Sequence, residues 1–197
     1  MSLASDVAFS PAVKAVQERR GSREQSARRE WQTVVTPDLA RFLAEANTVY
    51  LATASADGQP YVQHRGGPKG FLVALDERTI GFADYAGNRQ YITTGNLSEN
   101  PRAMLFVMDY EQKRRVKIWG RARIVEDDPA LVARLFPAGY RAKAAQALLL
   151  TVDAWDVNCQ QHIPQMFPAP DVMAAIETLE TRIRTLEAEN AALRAAA

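Results

Sequence analysis

Short segments rich in β-branched and aromatic residues recur over residues 48–154, and turn signals separate them. Residues 48–54 are followed by Asp57-Gly58, a dipeptide favoured in tight hairpins, and then by residues 61–65. Further segments of this kind are residues 71–75, 79–83, 103–108, 116–125 and 147–154. Because most connections are brief, the pattern predicts a mainly β protein with an antiparallel barrel of six strands and flanking helices.

Helix signals flank and interrupt this barrel. Thr36 followed by Pro37 is an N-cap signature that predicts a helix over residues 37–46, and Asp128 before a proline predicts another to about residue 136. Further helices are predicted over residues 11–20 and 88–97. The chain therefore divides into an N-terminal arm (residues 1–35), a barrel domain (residues 36–168) and a C-terminal helix (residues 169–197).

The C-terminal helix carries a heptad pattern. Apolar residues and one asparagine recur three and four positions apart, as Ile176, Leu179, Ile183, Leu186, Asn190 and Leu193. Such a pattern is typical of a two-stranded coiled coil, although fewer than three heptads are marginal alone. The alternatives are a seam between two copies, which we favour, and a helix packed on its own domain.

Composition excludes several function classes. The net charge of +1 favours no nucleic-acid partner, and no apolar run is long enough for a membrane span or a signal peptide. The single cysteine, Cys159, excludes an intrachain disulfide, and His64 and His162 lie far apart with no ligand cluster, so no metal site is expected. We therefore expect a cytoplasmic protein.

One region combines cations with glycines. Residues 63–71 leave a strand through a basic, glycine-rich turn, and the strand over residues 80–85 leads into Gly87-Asn88, the expected start of a helix. A helix N-terminus presents free N–H groups to an anion, arginine adds a two-pronged donor, and glycine permits close approach of the backbone. Together these features predict a phosphate site.

Four motifs follow one another over residues 48–125: the hairpin at residues 52–60, the strand-to-turn segment at 81–89, the "NLxxNPRAxLxF" segment at 96–106 and the "xGxAxxV" strand at 119–125. In their order and spacing they resemble the FMN-binding split barrel of the pyridoxamine 5′-phosphate oxidase-like superfamily. The chain lacks the Trp-rich end with Arg-x-His of the true oxidases. The resemblance is therefore to an uncharacterised branch outside those enzymes.

The resemblance implies an FMN cofactor bound across a homodimer interface. Arg65 would face the flavin or its phosphate, and Gln63 and His64 would contact the edge of the flavin ring. Lys69 would lie near enough to assist in binding the phosphate. Arg115 would reach the flavin from a neighbouring strand. The implied phosphate-binding turn comprises Tyr85, Asn88, Arg89 and Gln90. The residues that could reach the partner's cofactor are Trp155, Gln161 and His162. No catalytic residue is assigned.

The resemblance thus implies an FMN-dependent oxidoreductase acting on a small-molecule substrate. Two alternatives on the same fold stay open. One is a non-catalytic flavin- or haem-binding module, with His64 or His162 as a haem ligand. The other is a deazaflavin-dependent reductase.

Overall fold

The computed structural model describes residues 3–158 and 160–196. The chain forms two compact units. The first comprises Met1–Asp109 with Arg114–Gln160, and the second comprises Tyr110–Lys113 with Gln161–Ala197. Cys159 lies outside the described residues. Among the described residues, no helix has both the length and the apolar character that crossing a membrane requires.

One antiparallel sheet of seven strands dominates the first unit. In chain order, the strands are β1 (Thr48–Ala54), β2 (Pro60–Gly66), β3 (Val73–Ala74), β4 (Thr79–Tyr85), β5 (Arg102–Asp109), β6 (Arg114–Val125) and β7 (Ala144–Val157). Their order across the sheet is β2-β1-β5-β6-β7-β4-β3. The sheet has one strand more than the six-stranded barrel that we expected, since all seven predicted β segments form strands. The segment over residues 71–75 contributes only a short edge strand, in which Val73 and Ala74 pair with Gly81 and Ile80.

The sheet has two edge strands, β2 and β3, and no pairing between described residues joins them into a continuous ring. The predicted antiparallel sheet with flanking helices is confirmed, whereas its closure into a barrel by strand pairing is not observed. Residues of β2 and β4 line one cavity together with residues of the segment that follows β4.

The described residues form six α-helices and one short 3₁₀-helix (Ala4–Val7). The α-helices are α1 (Pro11–Arg19), α2 (Arg23–Arg28), α3 (Pro37–Glu45), α4 (Ile92–Glu99), α5 (Pro129–Leu135) and α6 (Ala169–Ala195). Both predicted N-caps are confirmed: Thr36 Oγ1 accepts from the Leu39 amide at 3.2 Å, and Asp128 Oδ1 accepts from the Leu131 amide at 2.8 Å. Helix α2 was not predicted from the sequence.

The core of the first unit lies beneath alternating strand residues. In β1, Val49 and Leu51 are fully buried, and Leu105 of β5 and Ile118 of β6 continue the same layer. Helix α3 covers one side of this core with Leu43. In β7 the buried residues run consecutively over residues 146–150, because α5 packs on the second face of this strand.

The second unit combines the turn between β5 and β6 with the C-terminal segment. The Met166 amide donates to the Tyr110 carbonyl at 3.3 Å, and Gln165 Nε2 donates to the Glu111 carbonyl at 3.1 Å. Helix α6 follows, and no described residue along it is buried. The predicted C-terminal helix is therefore present.

Candidate functional site

The segment between β4 and α4 is irregular. Arg89 and Tyr91 have positive φ angles of 58° and 53°, which a right-handed helix does not contain. The Asn88 side chain accepts a hydrogen bond from the Gln90 amide at 3.2 Å and so stabilises a local turn instead. The prediction that the helix begins at Gly87-Asn88 was therefore wrong, since α4 begins at Ile92.

This turn and the start of α4 surround a cavity of about 210 Å³, here called the β4–α4 cavity. Six predicted site residues line it, namely Gln63, Arg65, Tyr85, Asn88, Arg89 and Gln90. Other residues that line it were not predicted from the sequence, among them Asp84, Thr93, Thr94, Lys143 and Gln146. The structure thus brings together the two predicted halves of the phosphate site, the strand with Arg65 and the turn with Arg89.

A buried carboxylate anchors this cavity. Asp84 is 8% exposed, and its Oδ1 lies 3.3 Å from Arg65 Nη1. On the other side, Gln146 Nε2 donates to Asp84 Oδ2 at 2.9 Å. A buried carboxylate needs a cation and hydrogen-bond donors to offset its desolvation, and Arg65 and Gln146 supply both. Asp84 therefore holds the Arg65 guanidinium in place.

A second polar contact joins the two walls of the cavity. Thr93, which is 3% exposed on α4, donates from Oγ1 to Gln63 Oε1 on β2 at 3.2 Å. This hydrogen bond connects residues 30 positions apart in the chain. It sets the position of the first turn of α4 relative to the strand that carries Arg65.

Several buried polar atoms at the site have no hydrogen-bond partner within the described part of the chain. They include Arg65 Nε and the Tyr85 hydroxyl. Buried donors without partners are rare in folded proteins and are costly unless a ligand or water satisfies them. These two atoms therefore indicate that the cavity receives a polar group.

Tyr85 contributes a neutral phenol. Burial raises the pKa of Tyr85 above its ordinary value, and the neighbouring Tyr140 raises it further. Its ring packs edge-on against Phe136 at a centroid distance of 5.8 Å and lies tilted against Tyr140 at 5.3 Å. At neutral pH the hydroxyl therefore carries its proton and can donate it in a hydrogen bond.

The electrostatic balance of the β4–α4 cavity is positive. Arg65, Arg89 and Lys143 line it, and the only carboxylate that the described residues contribute to its lining, Asp84, is already paired with Arg65. The first residues of α4 also line the cavity, and helix N-termini carry free amides and a partial positive charge. The site is therefore suited to an anion with several oxygen acceptors.

His64 lies beside this cavity rather than within it. Together with Arg65, Phe71 and Phe82 it lines a second cavity of about 190 Å³. His64 is exposed, and its Nε2 lies 2.7 Å from Thr48 Oγ1. Because Arg65 and Tyr85 line both cavities, the two cavities adjoin each other.

Three predicted residues of the first unit line neither cavity. Lys69 Nζ pairs with Glu45 Oε2 at 2.9 Å, and the Trp155 indole donates to the Val34 carbonyl at 2.7 Å. Arg115 lies on β6, where its buried Nε has no hydrogen-bond partner within residues 3–158 and 160–196. The assignments of Lys69, Arg115 and Trp155 to the cofactor stay predictions.

Gln161 and His162 belong to the second unit, where both are exposed. His162 has a positive φ of 63°. Their assignment to a partner's cofactor also stays a prediction. Within the described residues, no three histidine, cysteine or acidic side chains lie close enough together to hold a metal ion.

Two of the missed residues had a signal in the sequence. Asp84 ends the otherwise apolar run over residues 80–83, and Gln146 directly precedes the apolar run over residues 147–150. A polar residue at the end of a buried strand is often retained for a specific contact. That β4 and β7 pair so as to bring the two together is a property of the tertiary structure.

The sequence profile of the family described as "Pyridoxamine 5′-phosphate oxidase" matches residues 35–159, which is more than half of the chain. No curated protein matches the chain.

Solved structures of similar fold exist. HupZ of Group A Streptococcus is 18% identical, with a TM-score of 0.50 over 67% of this chain and 98% of that one. A candidate pyridoxamine 5′-phosphate oxidase of Lactobacillus delbrueckii is 25% identical, with a TM-score of 0.47 over 64% of this chain and 95% of that one. An FMN-binding protein of Syntrophomonas wolfei is 11% identical, with a TM-score of 0.44 over 74% and 97% of the two chains.

The profile match confirms the resemblance that the motifs indicated, and the likeness to HupZ shows a shared fold. The chain therefore belongs to the pyridoxamine 5′-phosphate oxidase family of split-barrel proteins.

Proposed function

We propose that this chain binds FMN, with the cofactor's phosphate in the β4–α4 cavity, and is an oxidoreductase acting on a small molecule. The observation that carries the proposal is the buried, unpartnered Nε of Arg65 in a cavity that also contains Arg89 and Lys143. FMN is the cofactor that membership of this family implies.

The residues of the cavity fit the phosphate end of FMN. A phosphate dianion offers acceptor oxygens, and arginine binds them with two parallel donors. Arg65 is held by Asp84 at 3.3 Å, so its guanidinium is oriented before a ligand arrives. Asn88, Gln90 and the first amides of α4 add neutral donors.

The size of the cavity supports a cofactor shared between two copies. At about 210 Å³ it is smaller than the roughly 300–1,000 Å³ typical of pockets that enclose a whole ligand of this class. It has room for the phosphate end, and the flavin ring needs a further wall. We propose that the partner subunit of a homodimer supplies that wall.

FMN supplies hydride or electron transfer when it is bound, and the chain positions it. Arg65, Asn88 and Arg89 would hold the phosphate, while the hydroxyl of Tyr85 would donate a hydrogen bond to a polar group of the cofactor. We assign His64, which lines the neighbouring cavity, to contact with the flavin ring. The substrate class is a small molecule that reaches this ring.

The first test is the absorbance spectrum of the purified protein, followed by release of the chromophore and its mass. Flavin bands and the mass of FMN support the proposal. A colourless protein that also fails to take up added FMN would contradict it. A haem or deazaflavin mass would replace FMN with one of the two alternative cofactors on this fold.

The second test compares two arginine variants. Arg89→Ala removes a charge-assisted contact of about 1.5–3 kcal/mol and should weaken FMN binding by roughly one to two decades. Arg123→Ala is the matched control, because Arg123 is exposed on β6 and is absent from the lining of the cavity. Equal FMN affinity in the two variants would refute the phosphate assignment.

A further inference from the structure

Helix α6 presents an apolar stripe that its own chain does not cover. The stripe, here called the α6 seam, consists of Val172, Ile176, Leu179, Ile183, Leu186, Asn190 and Leu193. Its six apolar side chains are between 41% and 73% exposed, and no described residue of α6 is buried. A row of large aliphatic side chains left in water along the whole helix indicates a surface that another molecule covers.

The spacing of the seam specifies the shape of that molecule. Residues separated alternately by three and four positions repeat every 3.5 residues on average, slightly fewer than the 3.6 residues in one turn of a straight helix. Such a stripe stays in register only with a second helix that winds around the first. The partner is therefore a helix, rather than a sheet or a flat surface.

The residue types at the seam specify a second copy of the same helix. Taking Ile176 as position a, isoleucine occupies two a positions and leucine occupies three d positions, a combination that favours two parallel helices. Asn190 occupies the remaining a position. A buried asparagine is satisfied when it lies opposite the asparagine of an identical, parallel, in-register helix.

The charges beside the seam are complementary in the same arrangement. In a parallel pair, Arg182 at position g faces Glu187 at position e of the other helix, and Glu189 faces Arg194 in the next heptad. Within the described residues, none of these four side chains forms an ion pair. All four are therefore available to a partner.

We propose that α6 pairs with α6 of a second copy as a parallel two-stranded coiled coil, with Asn190 opposite Asn190. None of the α6 residues that form this interface is among those that we assign to the FMN site.

Cysteine cross-linking of the full chain tests this pairing. In a Cys159→Ser background, Leu186→Cys places a thiol at a d position of the seam, and Thr181→Cys places one at the outward-facing f position. Cysteines bridge only when their Cα atoms lie within about 7 Å, a condition that a parallel pair meets at d and not at f. Under mild oxidation, the first variant should form a disulfide-linked dimer and the second should not.

A charge exchange tests the direction of the helices. Arg182→Glu together with Glu189→Arg makes both g–e pairs of a parallel coil repulsive, so cross-linking through Leu186→Cys should slow several-fold at low salt. Adding Glu187→Arg and Arg194→Glu should restore the rate. In an antiparallel pair, g positions face g positions, so the two exchanged side chains would still meet a charge of opposite sign and cross-linking would not slow.

The proposal is overturned if Leu186→Cys forms no disulfide-linked dimer while the far-ultraviolet spectrum is unchanged, if it cross-links no better than Thr181→Cys, or if the charge exchange has no effect. Flavin content measured on the same samples reports on the FMN proposal separately, so the failure of one leaves the other standing.

Discussion

Removing Arg65 while keeping Asp84 should destabilise the protein far more than removing both charges. The Asp84 side chain is 10% exposed and that of Arg65 is 18% exposed, with 3.3 Å between Oδ1 and Nη1. Breaking such a buried pair from one side costs about 3–5 kcal/mol, because the remaining charge stays desolvated. In Arg65→Met, Gln146 still donates to Asp84 Oδ2, so we expect a loss of about 3 kcal/mol.

The double variant Arg65→Met/Asp84→Asn removes the charge that Arg65 neutralises. An amide at position 84 keeps an acceptor for Gln146 Nε2, so the loss should fall to about 1 kcal/mol and the coupling energy should be about 2 kcal/mol or more. The free energies of unfolding of Arg65→Met, Asp84→Asn and the double variant are measured by urea denaturation, at one fixed protein concentration and without cofactor. Arg123→Met is the control.

Additive effects of the two substitutions would refute the reasoning, since they would mean that Arg65 does not offset the burial of Asp84. The FMN affinity gives a second readout. The affinity should fall in both Arg65→Met and the double variant, because both lack the guanidinium that we assign to the phosphate. If the double variant bound FMN as tightly as the parent, Arg65 would have a purely structural role.

Two further predictions concern stability and pH. A Cβ on Gly120, at the β6 bulge, would lie 2.1 Å from the Thr151 carbonyl oxygen, whereas one on Gly95 of α4 would meet nothing within 4 Å. Gly120→Ala should therefore lower the free energy of unfolding by about 3 kcal/mol or more, whereas Gly95→Ala should raise it by about 0.5–1 kcal/mol. Chemical denaturation measures both values, and a similar loss of stability in the two variants would contradict the packing described. Because burial raises the pKa of Tyr85, the stability that its neutral form contributes is present below the unfolded-state pKa of about 10 and is lost as pH rises through the folded-state value. The melting temperature of the parent minus that of Tyr85→Phe should accordingly fall as pH rises above about 10, and a value independent of pH would count against it.

Much of the secondary structure was determined by local sequence. Thr36 and Asp128 begin their helices as predicted, because an N-cap interaction involves residues only three positions apart. The strands were predictable for a similar reason, since alternation of apolar residues is a local pattern. The motifs at residues 52–60 and 96–106 also indicated the family, because each is a short run of neighbouring residues.

The course of the chain after β4 was not determined locally. Gly87-Asn88 is a plausible helix start by sequence, yet positive φ angles at Arg89 and Tyr91 delay α4 to Ile92. The hydrogen bond from Thr93 to Gln63 helps to position the helix there, and it joins residues 30 positions apart. Local propensity contains no information about a contact of that separation.

The candidate site shows the same division. Arg65 and Arg89 could be predicted, because cations beside glycines in two neighbouring turns are visible in the sequence. Asp84, Gln146 and Lys143 could not be assigned to it, because pairing of β4 with β7 is what brings them to one cavity. Local sequence therefore predicts most of the strands and helices and shows where the cations lie along the chain. Which of these elements meet is decided in the tertiary structure, because it depends on contacts between residues far apart in the chain.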